Sequence, residues 1–470
     1  MTFQVVHRWQ RTDFVYIMLK LITFVFHYLI CVSQLTMPLW NTAINSKAWK
    51  YVVLVFSLLS LSMSIGFTYG FSGSLTLVAS REFNISVTES SVAPSLNVGF
   101  FKLAIPIVAI LTRFLSLRTL QWIGGGTILC GICLSSFTTN NVELILSYGL
   151  LTAVGVSFTR SAASGIVREH FRNDQINFAL CAMMSGLYIG VAVVPGISNY
   201  LFTHYSYQEA FVLLIPMLTI HLLSGFVFTS FPDENDRLKE TVPKKENSVE
   251  TSVKKVLADV KVWCFAISGA LKKFGMSGYY SLVPSYVIVA KGLTLENTSV
   301  GGAVYGATGM AGVLSMAAIS FVDFNRVLPH SILPVIGGAA IALLTMANEE
   351  VIYYLLIGVF GLTNGMATAN HMTVANELGG AKNMLFVFAV EQFLQAFASV
   401  SGAPITSFIQ DFLGLDVGIY ITAGAIILSG VVSFLILLFQ YYEKGKNEKH
   451  LKTPDDLQEK ETLLESSESD

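Results

Sequence analysis

The sequence predicts an all-α membrane protein of twelve transmembrane helices arranged as six plus six, with an extra apolar helix appended at the N-terminus. Three observations carry this reading: scarce charge, apolar runs of spanning length, and basic residues confined to alternate loops. Of 470 residues, 53% are hydrophobic and only 13% are charged, with a mean hydropathy of +0.61. A soluble chain carries roughly 25% charged residues, so a soluble fold of this length would lack polar surface. The charges gather in a central stretch, at the C-terminus and at the ends of apolar runs. Lipid rather than water therefore surrounds most of the chain. The net charge of −2 is uninformative about nucleic acid, but there is no basic face to bind one, so no nucleic-acid partner is expected.

A spanning helix needs roughly 20 mostly apolar residues. Runs of this kind lie at 49–79, 89–115, 119–137, 142–167, 176–202 and 208–231, and again at 262–290, 298–322, 328–347, 351–376, 383–409 and 415–440. The domain organisation follows: an N-terminal half over 49–231, a polar cytoplasmic loop over 232–261, and a C-terminal half over 262–440. The tail, 441–470, is highly charged and expected to be disordered. Residues 1–48 form an extension whose segment 14–34 is apolar enough to span but contains Lys20 and His27. We expect an appended helix outside the twelve-helix core; a signal-like or interfacial helix, or a start at Met37, are the alternatives.

Loops on the cytoplasmic side carry the excess of Lys and Arg. With the helix from Trp49 starting in the cytoplasm, the inner loops hold Arg113, Arg118, Arg168, Arg172, Lys244, Lys245, Lys254, Lys255, Arg326 and Lys382. The outer loops hold Arg81 and Lys291, together with Glu349, Glu350, Asp411 and Asp416. Adding or dropping one core helix would scramble this asymmetry.

Cys31, Cys130, Cys133, Cys181 and Cys264 all lie in apolar runs, so no disulfide and no metal site is expected. The sequons at Asn84 and Asn297 fall in short outer loops close to the membrane, and we expect both to be unused. Gly302, Gly306, Gly309 and Gly312 on one run, and Gly361 and Gly365 on another, have the spacing that lets helices approach closely.

Six plus six spans around a polar central loop resemble the major facilitator superfamily, whose halves rock around a site near the bilayer midplane. Finer features resemble the monocarboxylate transporter family. They are Ile65-Gly-Phe-Thr-Tyr-Gly-Phe71, Ser86-Val-Thr-Glu-Ser-Ser91, Arg113-Phe114 with Arg118 and Gly124-Gly125, His170-Phe171-Arg172, and Gly402-Ala-Pro404 with Asp411 and Gly414. The resemblance covers roughly residues 50–440. It implies a carrier of small organic anions in the plasma membrane, protons as a coupling partner, and a single-span accessory membrane protein. The departures concern mechanism. The family's proton-coupled lactate carriers have a lysine near the outer end of helix one, where this chain has Gly73. They have an Asp and an Arg in helix eight, where Tyr305 is the only ionisable residue from Tyr305 to Ala318. The acidic, Trp-containing entry to helix one is reduced to Trp49, the Trp-Arg pair before helix six reads Tyr207-Gln208, and the superfamily's loop Asp reads Thr112. The fold carries over; the lactate–proton residues do not.

An ionisable residue deep in a span costs about 2.5–3.5 kcal/mol on insertion scales and is retained when it pairs, snorkels or serves a site. Counting inward from the span ends, Lys102, Arg160, Lys272, Lys273, His371 and Glu391 qualify, with Asn97, Asn364, Asn370, Gln392 and Gln395 as neutral polar groups. Four permanent cations against one carboxylate favour an anionic substrate. Arg160, Lys272, Lys273, Lys102, Tyr69 and Asn370 are the substrate-binding candidates, and Glu391 and His371 the coupling or gating candidates. Lys272 and Lys273 point about 100° apart, so one of them must snorkel or pair elsewhere. Tyr69, Tyr279 and Tyr280 either close the outer end of a cavity or sit in an interfacial belt.

With no metal cluster, cofactor motif or nucleophile–base arrangement in the sequence, an enzyme is not expected. The expected function is a secondary carrier of small organic anions working by alternating access. A facilitative carrier of amino acids or other small solutes, or a sensor on a transporter fold, are the alternatives. Glu459-Lys-Glu-Thr-Leu463-Leu464 resembles a sorting signal and keeps endosomal or lysosomal membranes open beside the plasma membrane.

Overall fold

The computed structural model describes residues 48–112, 114–171, 174–229, 256–319, 322 and 324–450. The segment 14–34, Cys31, most of the central loop, the loop residues Arg113 and Arg172, and the Leu463-Leu464 motif lie outside the described residues. The chain divides into two compact units, 1–53 and 54–470. The first contributes only the opening turn of one helix to what is described. All packing below is within the second.

Among the described residues twelve long helical segments follow in order: α1 (Trp49–Glu82), α2 (Val92–Leu111), α3 (Leu117–Ser135), α4 (Asn141–His170), α5 (Asp174–His204), α6 (Tyr207–Val227), α7 (Val260–Lys291), α8 (Leu295–Ile319), α9 (Val327–Met346), α10 (Glu350–Gly380), α11 (Phe386–Leu413) and α12 (Leu415–His450). Ten are long and apolar enough to cross a membrane. The other two, α2 and α7, are the ones that carry Lys102 and the Lys272–Lys273 pair near their centres. The all-α membrane fold read from the sequence is the fold of the chain.

Helix ends follow local chemistry. Ser86 and Glu89 form a reciprocal capping box at the one-turn helix Val87–Ser90 that leads into α2, and Ser206 with Glu209 does the same for α6. Each satisfies amides that a helix start leaves unbonded. Gly380 (φ 63°) separates α10 from α11 and Gly414 (φ 105°) separates α11 from α12, backbone values that a side chain disfavours. Inside the bundle, α1 and α4 each contain a π-helical stretch, Ser62–Gly66 and Ile145–Thr152. Such stretches unsettle the regular carbonyl ladder. The imidazole Nε2 of His221 on α6 donates to the Met63 carbonyl at 3.1 Å, and its Nδ1 faces the Ser60 hydroxyl at 3.2 Å.

The first six helices pack among themselves, chiefly α3 on α4 and α6, α2 on α4, and α1 on α5. The last six do likewise, with α7 on α11 and α12, α8 on α10, and α9 on α12. The two sets meet along α5–α8, α2–α11 and α1–α7. Glycine makes the closest approaches. A Cβ at Gly306 of α8 would lie 2.5 Å from the Tyr188 carbonyl of α5, and one at Gly361 of α10 would lie 2.5 Å from the Tyr305 carbonyl of α8.

Candidate functional site

Lys102 of α2 is only 2% exposed, and its Nζ donates to the Ser399 hydroxyl of α11 at 2.7 Å. Gly99, one turn earlier, lets α2 lie against the Ala396 carbonyl, 2.8 Å from where a Cβ would sit. Arg160 of α4 is half-buried and holds its guanidinium 5.7 Å from the centre of the Phe101 ring. Lys273 of α7 places its Nζ 5.3 Å from the centre of the Tyr69 ring on α1. Lys102 interacts electrostatically with Lys273, Arg160 and Glu391, and Arg160 with Tyr69 and Glu391. Four helices, two of them with a π-helical stretch, thus bring three cations and two aromatic faces into one neighbourhood. Like charges gathered away from water repel, and an anion among them relieves that repulsion.

Lys272 takes the other side of α7. It is 3% exposed, and its Nζ has no hydrogen-bond partner among the described residues. Its electrostatic partners include Lys273, Glu391, His330 and His371. Adjacent residues on a helix diverge by about 100°. That rotation sends Lys273 toward α1 and Lys272 into the last six helices, where it is buried and does not snorkel.

There a second polar cluster forms. Glu391 of α11 is fully buried, and its Oε1 lies 2.7 Å from His371 Nδ1 of α10 and accepts from Gln395 Nε2 at 2.7 Å. Its Oε2 has no partner among the described residues. Gly269 of α7 leaves the space the carboxylate occupies, since a Cβ there would lie 2.8 Å from Glu391 Cγ. His330 of α9 stands edge-on to His371, with ring centres 4.9 Å apart at 89°. Both ring nitrogens of His330 are buried without a partner among the described residues. Sequence reading missed His330. Its signal was a histidine within the apolar run 328–347. Asn370, a substrate-binding candidate, instead donates to the Arg326 backbone carbonyl at 2.6 Å.

Above the cations, Tyr69 stacks on Tyr280 at 4.7 Å, and Tyr279, Tyr280, Tyr305 and Phe360 pack ring against ring. Tyr69, Tyr279 and Tyr280 are 4%, 7% and 8% exposed, so they form an interior cluster and not an interfacial belt. The Tyr280 and Tyr305 hydroxyls are 2.8 Å apart, and Asn364 Nδ2 donates to Tyr305 at 2.6 Å and to Tyr188 at 3.1 Å. The chain from α7 through α8 and α10 to α5 thus crosses between the two sets of helices. Beside it, toward the α1–α2 and α7–α8 turns, is a cavity of about 60 Å³ lined by Tyr69, Ser74, Asn199, Tyr280, Thr298 and Tyr353 among others. Gly73 lines it too. A Cβ there would lie 2.8 Å from both Pro284 Cγ and the Tyr280 carbonyl, so a lysine at this place has no room while α1 and α7 touch.

At the same end Asn84 is exposed, whereas the Asn297 amide donates to Glu350 at 2.6 Å and to the Tyr354 hydroxyl at 3.1 Å.

The fold and this interior match a known class. The model of the Major Facilitator Superfamily matches residues 52–402, and the chain belongs to that superfamily. Among individual proteins it is homologous to monocarboxylate transporters at low identity. It is 21% identical to Monocarboxylate transporter 13 of Rattus norvegicus over 81% of this chain and 87% of that one. It is 28% identical to Monocarboxylate transporter 6 of Mus musculus over 35% of each chain, and 24% identical to Monocarboxylate transporter 2 of Mus musculus over 39% of this chain and 37% of that one. The chain thus spans little more than a third of the length of these two mouse relatives. It is a multi-pass membrane protein.

Proposed function

We propose that the protein is a secondary carrier of small organic anions of the monocarboxylate kind, moving them by alternating access between its two six-helix halves. One observation carries this reading: Arg160 and Lys102 flank the Phe101 ring, 5.7 and 6.0 Å from its centre, and Lys273 lies 5.3 Å from the centre of Tyr69. The buried carboxylate within their reach, Glu391, is already engaged by His371 and Gln395. A substrate carboxylate would be held by Arg160 and Lys273, with Lys102 anchored to Ser399 supplying field from behind. Superfamily membership and homology to monocarboxylate transporters support the same reading. The contacts of Gly73 and Asn199 hold one end closed, as alternating access requires of one state. The lipid bilayer, a single-span accessory membrane protein and protons are the partners we propose, with the plasma membrane as the location. Purified protein in liposomes should show saturable uptake of labelled pyruvate, and absence of flux for pyruvate and a panel of short carboxylates would refute it.

A second reading is favoured by the cavity beside the tyrosines, which is lined by hydroxyls, amide and rings. A facilitative carrier of amino acids or other small solutes would use it. Competition of pyruvate uptake by neutral amino acids would support that alternative.

A further inference from the structure

We propose that the anion site binds short dicarboxylates in preference to monocarboxylates, with one carboxylate beside Arg160 and the other beside Lys273, a proposal that rests on the carrier reading above. The cations stand at two places. Arg160 of α4 and Lys102 of α2 are 5.7 and 6.0 Å from the centre of the Phe101 ring. Lys273 of α7 is 5.3 Å from the centre of the Tyr69 ring. Lys102 is buried and donates to the neutral Ser399 hydroxyl, whereas Arg160 and Lys273 are half-buried and keep part of their surface open to a solute. The two places are neighbours, since Lys102 interacts electrostatically with both Arg160 and Lys273, and Arg160 with Tyr69.

The protein supplies little negative charge to offset them. Among the described residues no carboxylate forms an ion pair with Lys102, Arg160 or Lys273. Along α1, α2, α4, α7 and α8 the acidic side chains are Glu82, Glu143, Glu169 and Glu296, each within three residues of a helix end. The run Tyr305–Ala318, where the lactate carriers have an acid, adds none. Glu391 of α11 acts on the cations but is already engaged by His371 and Gln395. Removing one partner from a buried charge is costly, and pairing it recovers that cost. A monocarboxylate brings one negative charge to three cations. It fills one place or lies between the two. A dicarboxylate brings two charges and pairs a cation at each place. The planar fork of Arg160 can donate two parallel hydrogen bonds to one carboxylate. The Lys273 ammonium offers three rotatable donors to the other. Because α4 belongs to the first six helices and α7 to the last six, a dicarboxylate held at both ends bridges the two sets.

The test uses full-length protein in liposomes exchanging labelled pyruvate at about pH 7.5, where both groups of a diacid are ionised. Malonate, succinate and glutarate compete, each set against its half-amide, which keeps the shape and loses one charge. A hydrogen bond to a charged group changes affinity about 10- to 150-fold, so at least one diacid should halve exchange at a concentration about tenfold or more below that of its half-amide. Pyruvate exchange with every ratio smaller than that would overturn the proposal and leave the carrier standing. No exchange of pyruvate or of any labelled short carboxylate would overturn both. In Lys273→Gln the diacid loses its second place, so its half-effect concentration should coincide with that of the half-amide. A preference unchanged in that variant would overturn the assignment to Lys273. A measurement that needs neither transport nor a variant is the thermal unfolding midpoint of wild-type protein in detergent. Succinate should raise it more than succinamate at equal concentration, and equal shifts would overturn the preference.

Discussion

Gly73→Ala perturbs the contact that holds α1 against α7. The added methyl carbon would sit 2.8 Å from the Pro284 ring and 2.8 Å from the Tyr280 carbonyl, against an ordinary contact of 3.4–4 Å. Neither neighbour is the end of a flexible side chain, so one helix must shift. Overpacking of this kind costs about 1–3 kcal/mol. The cost falls only on the conformation in which these helices touch. At about 1.4 kcal/mol per tenfold, it shifts the balance about 5- to 150-fold toward the state open at this end. Thr298 lines the adjoining cavity and is buried. In a background freed of native cysteines, Thr298→Cys should react with a membrane-impermeant maleimide at least fivefold faster when Gly73→Ala is present. An unchanged labelling rate in protein that remains monodisperse would refute the reasoning that Gly73 sits at a closing contact.

Three further expectations follow from the same interior. Arg160→Gln and Lys273→Gln should each raise KM for carboxylate uptake about 10- to 150-fold, since a hydrogen bond to a charged group contributes about 1.5–3 kcal/mol; concentration-dependent uptake checks this. Asn364→Leu removes the donor shared by Tyr188 and Tyr305 and should cost about 1–3 kcal/mol, seen as a lower thermal unfolding midpoint. Lys272→Met removes a buried amine that has no acceptor among the described residues and should raise that midpoint, because well-packed apolar replacements of buried charge are often stabilising by about 1–4 kcal/mol.

The positions of the helices were legible because lipid demands long apolar runs. The predicted runs 351–376 and 383–409 correspond to α10 at Glu350–Gly380 and α11 at Phe386–Leu413. What hydropathy does not carry is rotation. In a bilayer both the lipid face and the packed face of a helix are apolar, so periodicity did not distinguish a belt tyrosine from an interior one. Tyr69, Tyr279 and Tyr280 therefore stood open until α1 and α7 were seen to stack them. Lys272 and Lys273 could be separated by angle, but only the neighbours of α7 decide which cation faces α1. Glu391 and His371 lie 20 residues apart in sequence, and the break at Gly380 folds them back to 2.7 Å. His330 escaped because an apolar run does not say which neighbour a histidine in it will face; the packing of α9 against α10 places its ring beside His371. The π-helical stretches left no trace in the sequence pattern.

The most direct measurement is counterflow. Liposomes holding the purified chain and preloaded with unlabelled pyruvate should take up labelled pyruvate transiently, above the level of unloaded liposomes. Arg160→Gln and Lys273→Gln should flatten that overshoot at low outside concentration. A wild-type protein, correctly folded, that gives no overshoot with pyruvate or any short carboxylate would contradict an anion carrier built around these cations.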